Sequence, residues 1–301
     1  MTKFIKTIAL IIVVAFVTVS CGSTTKTATS VPVKEEKLAN SLLWKISGNG
    51  LEKPSYLYGT IHMTCNYVLT EKMEKAFEET DQLTLEIDMD DPSMQSKMMQ
   101  GMLMKDGKTL QSFVSEADYT LLATFFKEQV GMSLDLFSKM KPFAVSSTLL
   151  SKMVPCTPPS AYELEFMKIA KAQDEEVKGL ETIEYQMGVF DSIPYKDQID
   201  DLVKMAKEGM EESKNEFLKL VSLYDNEDIE GLLKLMTESD DMTGKFAEEL
   251  LDRRNQNWIP VIEQMAKEKA TFFGVGAMHL PGDKGVIKLL RTAGFNVEPV
   301  L

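Results

Sequence analysis

The amino-acid sequence predicts an α/β fold, with a mixed, partly parallel sheet formed from the N- and C-terminal segments and a large helical insertion at about 92–269. Three observations carry this expectation. Apolar runs of strand length gather near both ends of the chain, at 42–46, 55–60 and 83–87 and again at 270–275 and 295–300. Between them apolar residues recur at helical spacing, broken by one strand-length run near 176–181. The stretch 55–87 reads strand, helix, strand, a βαβ unit whose strands are expected to be parallel neighbours.

In chain order, LLWKI at 42–46 reads as a strand, and Gly48-Asn49-Gly50 with Pro54 turns the chain into a second strand at 55–60. Thr70 caps a helix predicted over 71–81, and 83–87 (LTLEI) is the third strand. Helices follow at 93–105, 115–129, 142–152 and 161–172, with Pro155, Pro158 and Pro159 between the last two. After the strand at 176–181, helices are predicted at 182–192, 197–223, 228–237 and 242–269, the last bent at Pro260. The strand 270–275, its exit 276–279, a helix at 282–292 and a strand at 295–300 close the domain, which is expected to span 38–301.

The formal charge is −13 with a pI near 4.8, which excludes the basic stripe that a nucleic-acid partner needs. The 20 methionines fall mostly at helical spacing and read as core filling rather than as an adaptable binding surface. Lys3 and Lys6 precede an apolar run at 8–19, too short to span a bilayer, so 1–20 reads as a signal peptide. Val17-Thr18-Val19-Ser20-Cys21 resembles a lipobox, with Thr18 where Leu is commoner, and Cys21 is the expected lipidation site. Cleavage there takes the formal charge to −15 and leaves 21–37, rich in Ser, Thr, Ala and Lys, as a flexible tether. The expected location is therefore the bacterial cell envelope, as an exported lipoprotein held to a membrane by its N-terminal lipid. Two cysteines remain, Cys65 and Cys156; a disulfide suits an exported protein, two free thiols or metal ligation by Cys65 being the alternatives.

Only two histidines occur, His62 and His279, and each ends a Gly-x-x-His step after an apolar strand: LYGTIHM at 57–63 and GVGAMHL at 274–280. A lone histidine more often braces a strand end, but the same pattern at both ends of the domain points to one shared site at the carboxyl ends of the strands. Glu86 sits inside an apolar strand, where a carboxylate needs a partner or a metal, and Asp88 shares its face if that strand continues. Glu181 ends the strand at 176–181. Arg254, one of three arginines, is a candidate partner for a carboxylate or an oxyanion. Two imidazoles and a carboxylate suit a divalent Zn, Mn, Co or Fe ion, with Glu86 as third ligand or as general base. No His-Glu-x-x-His, Cys-x-x-Cys, phosphate-binding loop, dinucleotide fingerprint or Gly-x-Ser-x-Gly elbow is present.

LYGTIHM, the LEID strand, KGLET followed by Gln186, DRRNQNW and the last 28 residues together resemble the TraB/GumN family, related to the Tiki proteases and to the erythromycin-esterase and ChaN-like group. The resemblance runs from about residue 42 to 301. It implies an α/β core with a helical insertion and, by analogy with the Tiki proteins, a metal-dependent peptidase using His62, Glu86 and His279, supported by Glu181 and Arg254. The competing expectation is a non-catalytic lipoprotein that holds a peptide or haem in the same pocket.

Overall fold

The computed structural model describes residues 37–301 apart from residue 157. Among the described residues six strands form one mixed sheet: β1 (Leu43–Gly48), β2 (Ser55–Thr60), β3 (Gln82–Ile87), β4 (Glu176–Glu181), β5 (Phe272–Gly276) and β6 (Phe295–Pro299), in the order β4-β3-β5-β2-β1-β6. The first four strands of that order run parallel, and β1 is antiparallel to both β2 and β6. One expectation changes here. β2 and β3 are not neighbours, because β5 lies between them, pairing Thr60 with Gly276 on one side and Leu85 with Gly274 on the other. Phe272, Phe273 and Val275 are buried, and a strand apolar on both faces belongs inside a parallel sheet.

The helices are α1 (Glu71–Glu78), α2 (Met94–Gly101), α3 (Glu116–Val130), α4 (Pro142–Leu150), α5 (Tyr162–Ala172), α6 (Ile183–Ser192), α7 (Tyr195–Glu208), α8 (Met210–Asp225), α9 (Ile229–Thr237), α10 (Met242–Lys245), α11 (Arg253–Glu268) and α12 (Val286–Thr292). The single helix expected over 197–223 is two, α7 and α8, because Gly209 takes φ +89° and reverses the backbone between them. The helix expected over 242–269 also divides, but not at Pro260, which lies within α11. The break is upstream, at Phe246, where α10 ends; a π-helical turn (Glu248–Asp252) then leads directly into Arg253 and Arg254. Asp88 does not continue β3. Its Oδ1 accepts from the N–H groups of Asp90 and Asp91, a turn that takes it off the strand face of Glu86.

The main core covers the sheet and contains Trp44, Phe77, Phe166, Trp258, Phe272 and Phe273, all fully buried. Phe77 stacks on Phe272 with ring centroids 3.9 Å apart, a contact that adds about 0.5–1.5 kcal/mol beyond area burial. A second cluster, including Leu122, Phe126, Leu149 and Leu202, binds α3, α4 and α7 of the insertion. Buried Lys141 pairs with Asp191 at 2.6 Å and joins α4 to α6. No helix among the described residues is long and apolar enough to cross a membrane. The expected signal peptide, Cys21 and nearly all of the tether lie outside the described residues.

Candidate functional site

Parallel strands all point their carboxyl ends to one edge, so β4, β3, β5 and β2 deliver Glu181, Glu86, the Gly276–His279 turn and the loop of His62 side by side. The two motif glycines make this arrangement possible. A side chain on Gly59 would come within 3.0 Å of Ala277 Cα, so its absence lets the second motif's turn rest on the first motif's strand. A side chain on Gly276 would come within 3.3 Å of Glu86 Oε1. The Gly276 N–H instead donates to that oxygen at 2.8 Å.

Arg254 sits at the centre. Its guanidinium donates to Glu86 Oε2 at 2.5 Å and to Glu181 Oε1 at 2.7 and 3.0 Å, and Nη1 also donates to the Leu250 carbonyl of the π-helical turn at 3.0 Å. Its Cζ lies 4.8 Å from the centre of the Trp258 ring, one helical turn along α11, and Trp258 Nε1 donates to Glu181 Oε2 at 2.9 Å. Gln186 Nε2 completes the cover of Glu86 Oε2 at 2.9 Å. Burial opposes ionisation of Glu86, but Arg254, the two histidines and the Gly276 N–H outweigh it and hold the carboxyl well below its ordinary range. At Glu181 burial prevails over Arg254, and its pKa is raised.

His279 is 4% exposed. Asn255 fixes its ring. The Asn255 Nδ2 donates to the carbonyls of Lys284 and His279, so Oδ1 faces His279 Nδ1 at 2.6 Å and must accept from it. The proton is thereby assigned to Nδ1, and Nε2 accepts from Arg254 Nη1 at 3.2 Å. Burial first, and then the Arg254 charge, push the His279 pKa down to about 3, so this imidazole is neutral across the physiological range.

His62 differs in exposure, partner and charge. Its side chain is 71% exposed, and it stands on the wall of a cleft, enclosed by position although water reaches the ring. Its Nδ1 lies 3.0 Å from Glu163 Oε1, which also accepts from Thr60 Oγ1 at 2.7 Å. The Glu163 hydrogen bond outweighs burial and raises the His62 pKa to about 9, making it an imidazolium at neutral pH. Burial works against the Glu163 charge, but His62 and Thr60 overcome it and keep the carboxyl below its ordinary range. Cys65 and Cys156 form a disulfide with Cα atoms 5.8 Å apart.

The cleft has a volume of about 980 Å³ and is lined by His62, Glu86, Arg254 and His279, with largely apolar walls that include Met153, Phe217, Leu220 and Leu235. Glu181 does not line it. It stands behind Arg254 and faces a second cavity of about 400 Å³ together with Asp88. Of the residues singled out from sequence, Glu86, Glu181 and His279 each touch Arg254, and His62 shares the cleft of Glu86, Arg254 and His279 but bonds to Glu163. Sequence reasoning misses Glu163, Asn255 and Trp258 as site residues. Trp258 has a signal, the i, i+4 spacing from Arg254. Glu163, an acid in the first turn of a helix, looks like an ordinary answer to the helix dipole.

The donor types suit a borderline divalent ion, and His279 Nε2 lies 3.7 Å from Glu86 Oε1, a separation that two ligands of one ion can span. The placement falls short of a complete centre. No three His, Cys, Asp or Glu side chains among the described residues converge on one point, and the Arg254 guanidinium already serves His279 Nε2 and the other oxygen of Glu86, Oε2, as their cation.

The fold and the site define an α/β protein with a histidine–carboxylate–arginine cleft at the carboxyl ends of a mixed sheet. A family model described as the TraB/PrgY/gumN family matches residues 42–299, and the chain belongs to that family. It is similar to the metalloprotease TIKI1 of Danio rerio, with 23% identity over 313 residues covering 86% of this chain and 63% of that protein. The metalloprotease TIKI2 of Danio rerio is 31% identical over 115 residues, covering 37% of this chain and 20% of that protein. The matches span less than two thirds of each relative.

Proposed function

We propose that this protein is a hydrolase that cuts an amide bond of a peptide or protein substrate lying in the 980 Å³ cleft. The observation that carries the reading is the meeting of both Gly-x-x-His strand ends on one cleft, with Glu86 fixed between Arg254 and the Gly276 N–H. The reaction class comes from the names of the relatives. His62 is the group that meets substrate. Charged through Glu163, its ring donates a proton to the departing amine. Glu86, held ionised by Arg254, orients the attacking water through Oε1 and takes the proton that the water gives up on attack, and the neutral His279 flanks it. Glu181 holds Arg254 from behind.

The relatives' names bring a metal with them, so binding of a divalent Zn, Mn, Co or Fe ion belongs to the test rather than to the steps above. The decisive experiment is cleavage of a peptide library by the purified protein, alone and with each ion, alongside metal analysis. Cleavage by the wild type that is lost in His62→Ala and Glu86→Gln supports the reading. Peptide binding with no bond cut under any ion overturns it. That result would establish the second reading, capture of a peptide without turnover. One observation favours capture: a carboxylate pulled as far down as Glu86 is a weak base toward water. The setting proposed for either activity is a membrane surface reached through lipid on Cys21, which mass spectrometry of the mature N-terminus checks.

A further inference from the structure

The loop that carries His62 is tied to the segment leading into α5 at successive points. Thr64 and Ser160 exchange two backbone hydrogen bonds, of 2.9 and 2.8 Å. The Cys65–Cys156 disulfide closes the same pair of segments one residue further along the first strand of that bridge. Three residues after Ser160 comes Glu163, in the first turn of α5, where the helix dipole favours its charge. Its Oε1 receives both Thr60 Oγ1 and His62 Nδ1. Chain order therefore reads His62, bridge, cysteine on one segment and cysteine, bridge, Glu163 on the other. The histidine and its carboxylate are the two free ends of one clasp. By contrast, the neighbours of His279 are set by α11, which the disulfide does not touch.

We infer that Glu163 is the positioning residue of His62 and that the Cys65–Cys156 disulfide holds the two in register, so that the reduced protein keeps its fold but loses the geometry of His62. The inference rests on the proposed role of His62 for its importance, and on the contacts alone for its physics. An exposed imidazole hydrogen-bonded at one ring nitrogen depends on that partner to select among its staggered rotamers. A side chain so placed stays put only while its partner does, and the partner sits on a different segment, 101 residues away in sequence. Breaking the disulfide restores the entropy of the loop it closes, with its ends 91 residues apart, and leaves the Thr64–Ser160 and Thr60–Glu163 hydrogen bonds and the packing of Tyr162 on Tyr58 and Tyr67 to hold the segments, none of them a covalent tie next to His62. Reduction takes two electrons and two protons from a dithiol, leaving thiols on Cys65 and Cys156 and a cyclic disulfide on the reductant.

Because the chain has two histidines, NMR of the ring-labelled protein at pH 7 gives one set of signals for each. Three-bond couplings report the χ1 rotamer of His62, and cross-relaxation between the His279 and Trp258 rings, whose centroids are 4.5 Å apart, reports the rest of the site. In the oxidised wild type, His62 should hold one rotamer. After dithiothreitol, with both thiols counted by alkylation, and in Cys65→Ser and Cys156→Ser, its couplings should average while the His279–Trp258 contact persists. Glu163→Ala should average them with the disulfide intact, and Glu163→Gln, which keeps an acceptor oxygen, should restore the single rotamer. Unchanged His62 couplings after reduction, free thiols in the oxidised protein, or loss of the His279–Trp258 contact together with them would each overturn the inference. None of these readouts needs turnover, so a protein that cuts no peptide leaves the clasp standing, and a failed clasp leaves the hydrolase reading to its own test.

Discussion

The two Gly-x-x-His motifs share letters, strand ends and a cleft, yet they carry opposite chemistry. His279 is buried, neutral and held at both ring nitrogens, by Asn255 and by Arg254. His62 is exposed, cationic and held at one, by Glu163. The motif determines only where a histidine is delivered. Its charge is set by what the rest of the chain brings: burial and then the arginine of α11 keep one ring neutral, and α5 brings a carboxylate to the other. Two equal histidines would be two equal ligands. These two divide into a neutral ring fixed in the wall and a charged ring that meets water.

Arg254 is the residue on which the buried half depends. Arg254→Ala leaves Glu86 and Glu181 with their charges unanswered inside the protein, and removing one partner of a buried pair costs about 3–5 kcal/mol. Urea denaturation should show that loss, and Arg254→Lys, which cannot reach both carboxylates with a planar fork, should recover only part of it. A denaturation midpoint unchanged in Arg254→Ala would mean that the guanidinium is not the cation of this site.

The pH dependence of stability should separate the two histidines by sign. The folded pKa of His279 is about 3, against 6.5 as the ordinary value. Between those values the unfolded chain binds a proton that the folded one refuses, so this contribution is present above pH 6.5 and lost as the pH falls toward 3. At 1.36 kcal/mol per unit the loss along that acid limb is on the order of a few kcal/mol. His279→Ala should flatten that acid limb and, through the lost ring, cost roughly 2–4 kcal/mol at pH 7. His62 runs the other way. Its folded pKa is raised by Glu163, so its contribution is present below 6.5 and lost as the pH rises above that value, and water screening the exposed pair keeps it small. Stability curves in which both variants bend the same limb would erase the distinction.

Much of this architecture is legible in the amino-acid sequence alone. The strand runs, the helical insertion and the pairing of the motifs follow from periodicity and from the scarcity of histidine, and Arg254 is prominent because arginine is rare here. What stays hidden depends on contacts between distant segments. Nothing in LTLEI reports that β5 will intervene between β2 and β3, since both neighbours present similar apolar strands. Nothing local distinguishes Glu163 from any acid in a first turn, because its role is decided by Thr60 and His62, about a hundred residues earlier. Pro260 is the conspicuous residue in the long helix, whereas the break at Phe246 and the π-helical turn after it have no comparable residue signature.

The glycines test whether the halves interlock. Gly59→Ala puts a methyl within 3.0–3.1 Å of Ala277 and should cost about 1–3 kcal/mol as the His279 turn is pushed off β2. The shift should appear in thermal denaturation and in the His279 ring signals before it appears in those of His62.

His62→Ala should change stability least, by less than about 1 kcal/mol, because an exposed pair with Glu163 contributes little and no packed atoms leave the core. The same variant should abolish cleavage if the proposed proton donor is correct, with substrate binding retained on the apolar walls of the cleft. That split, no loss of fold and complete loss of turnover, is the opposite of what His279→Ala should give, where stability falls with activity. A His62→Ala protein that unfolds as early as His279→Ala would make the exposed histidine a structural brace, and the two motifs would then differ in exposure without differing in role.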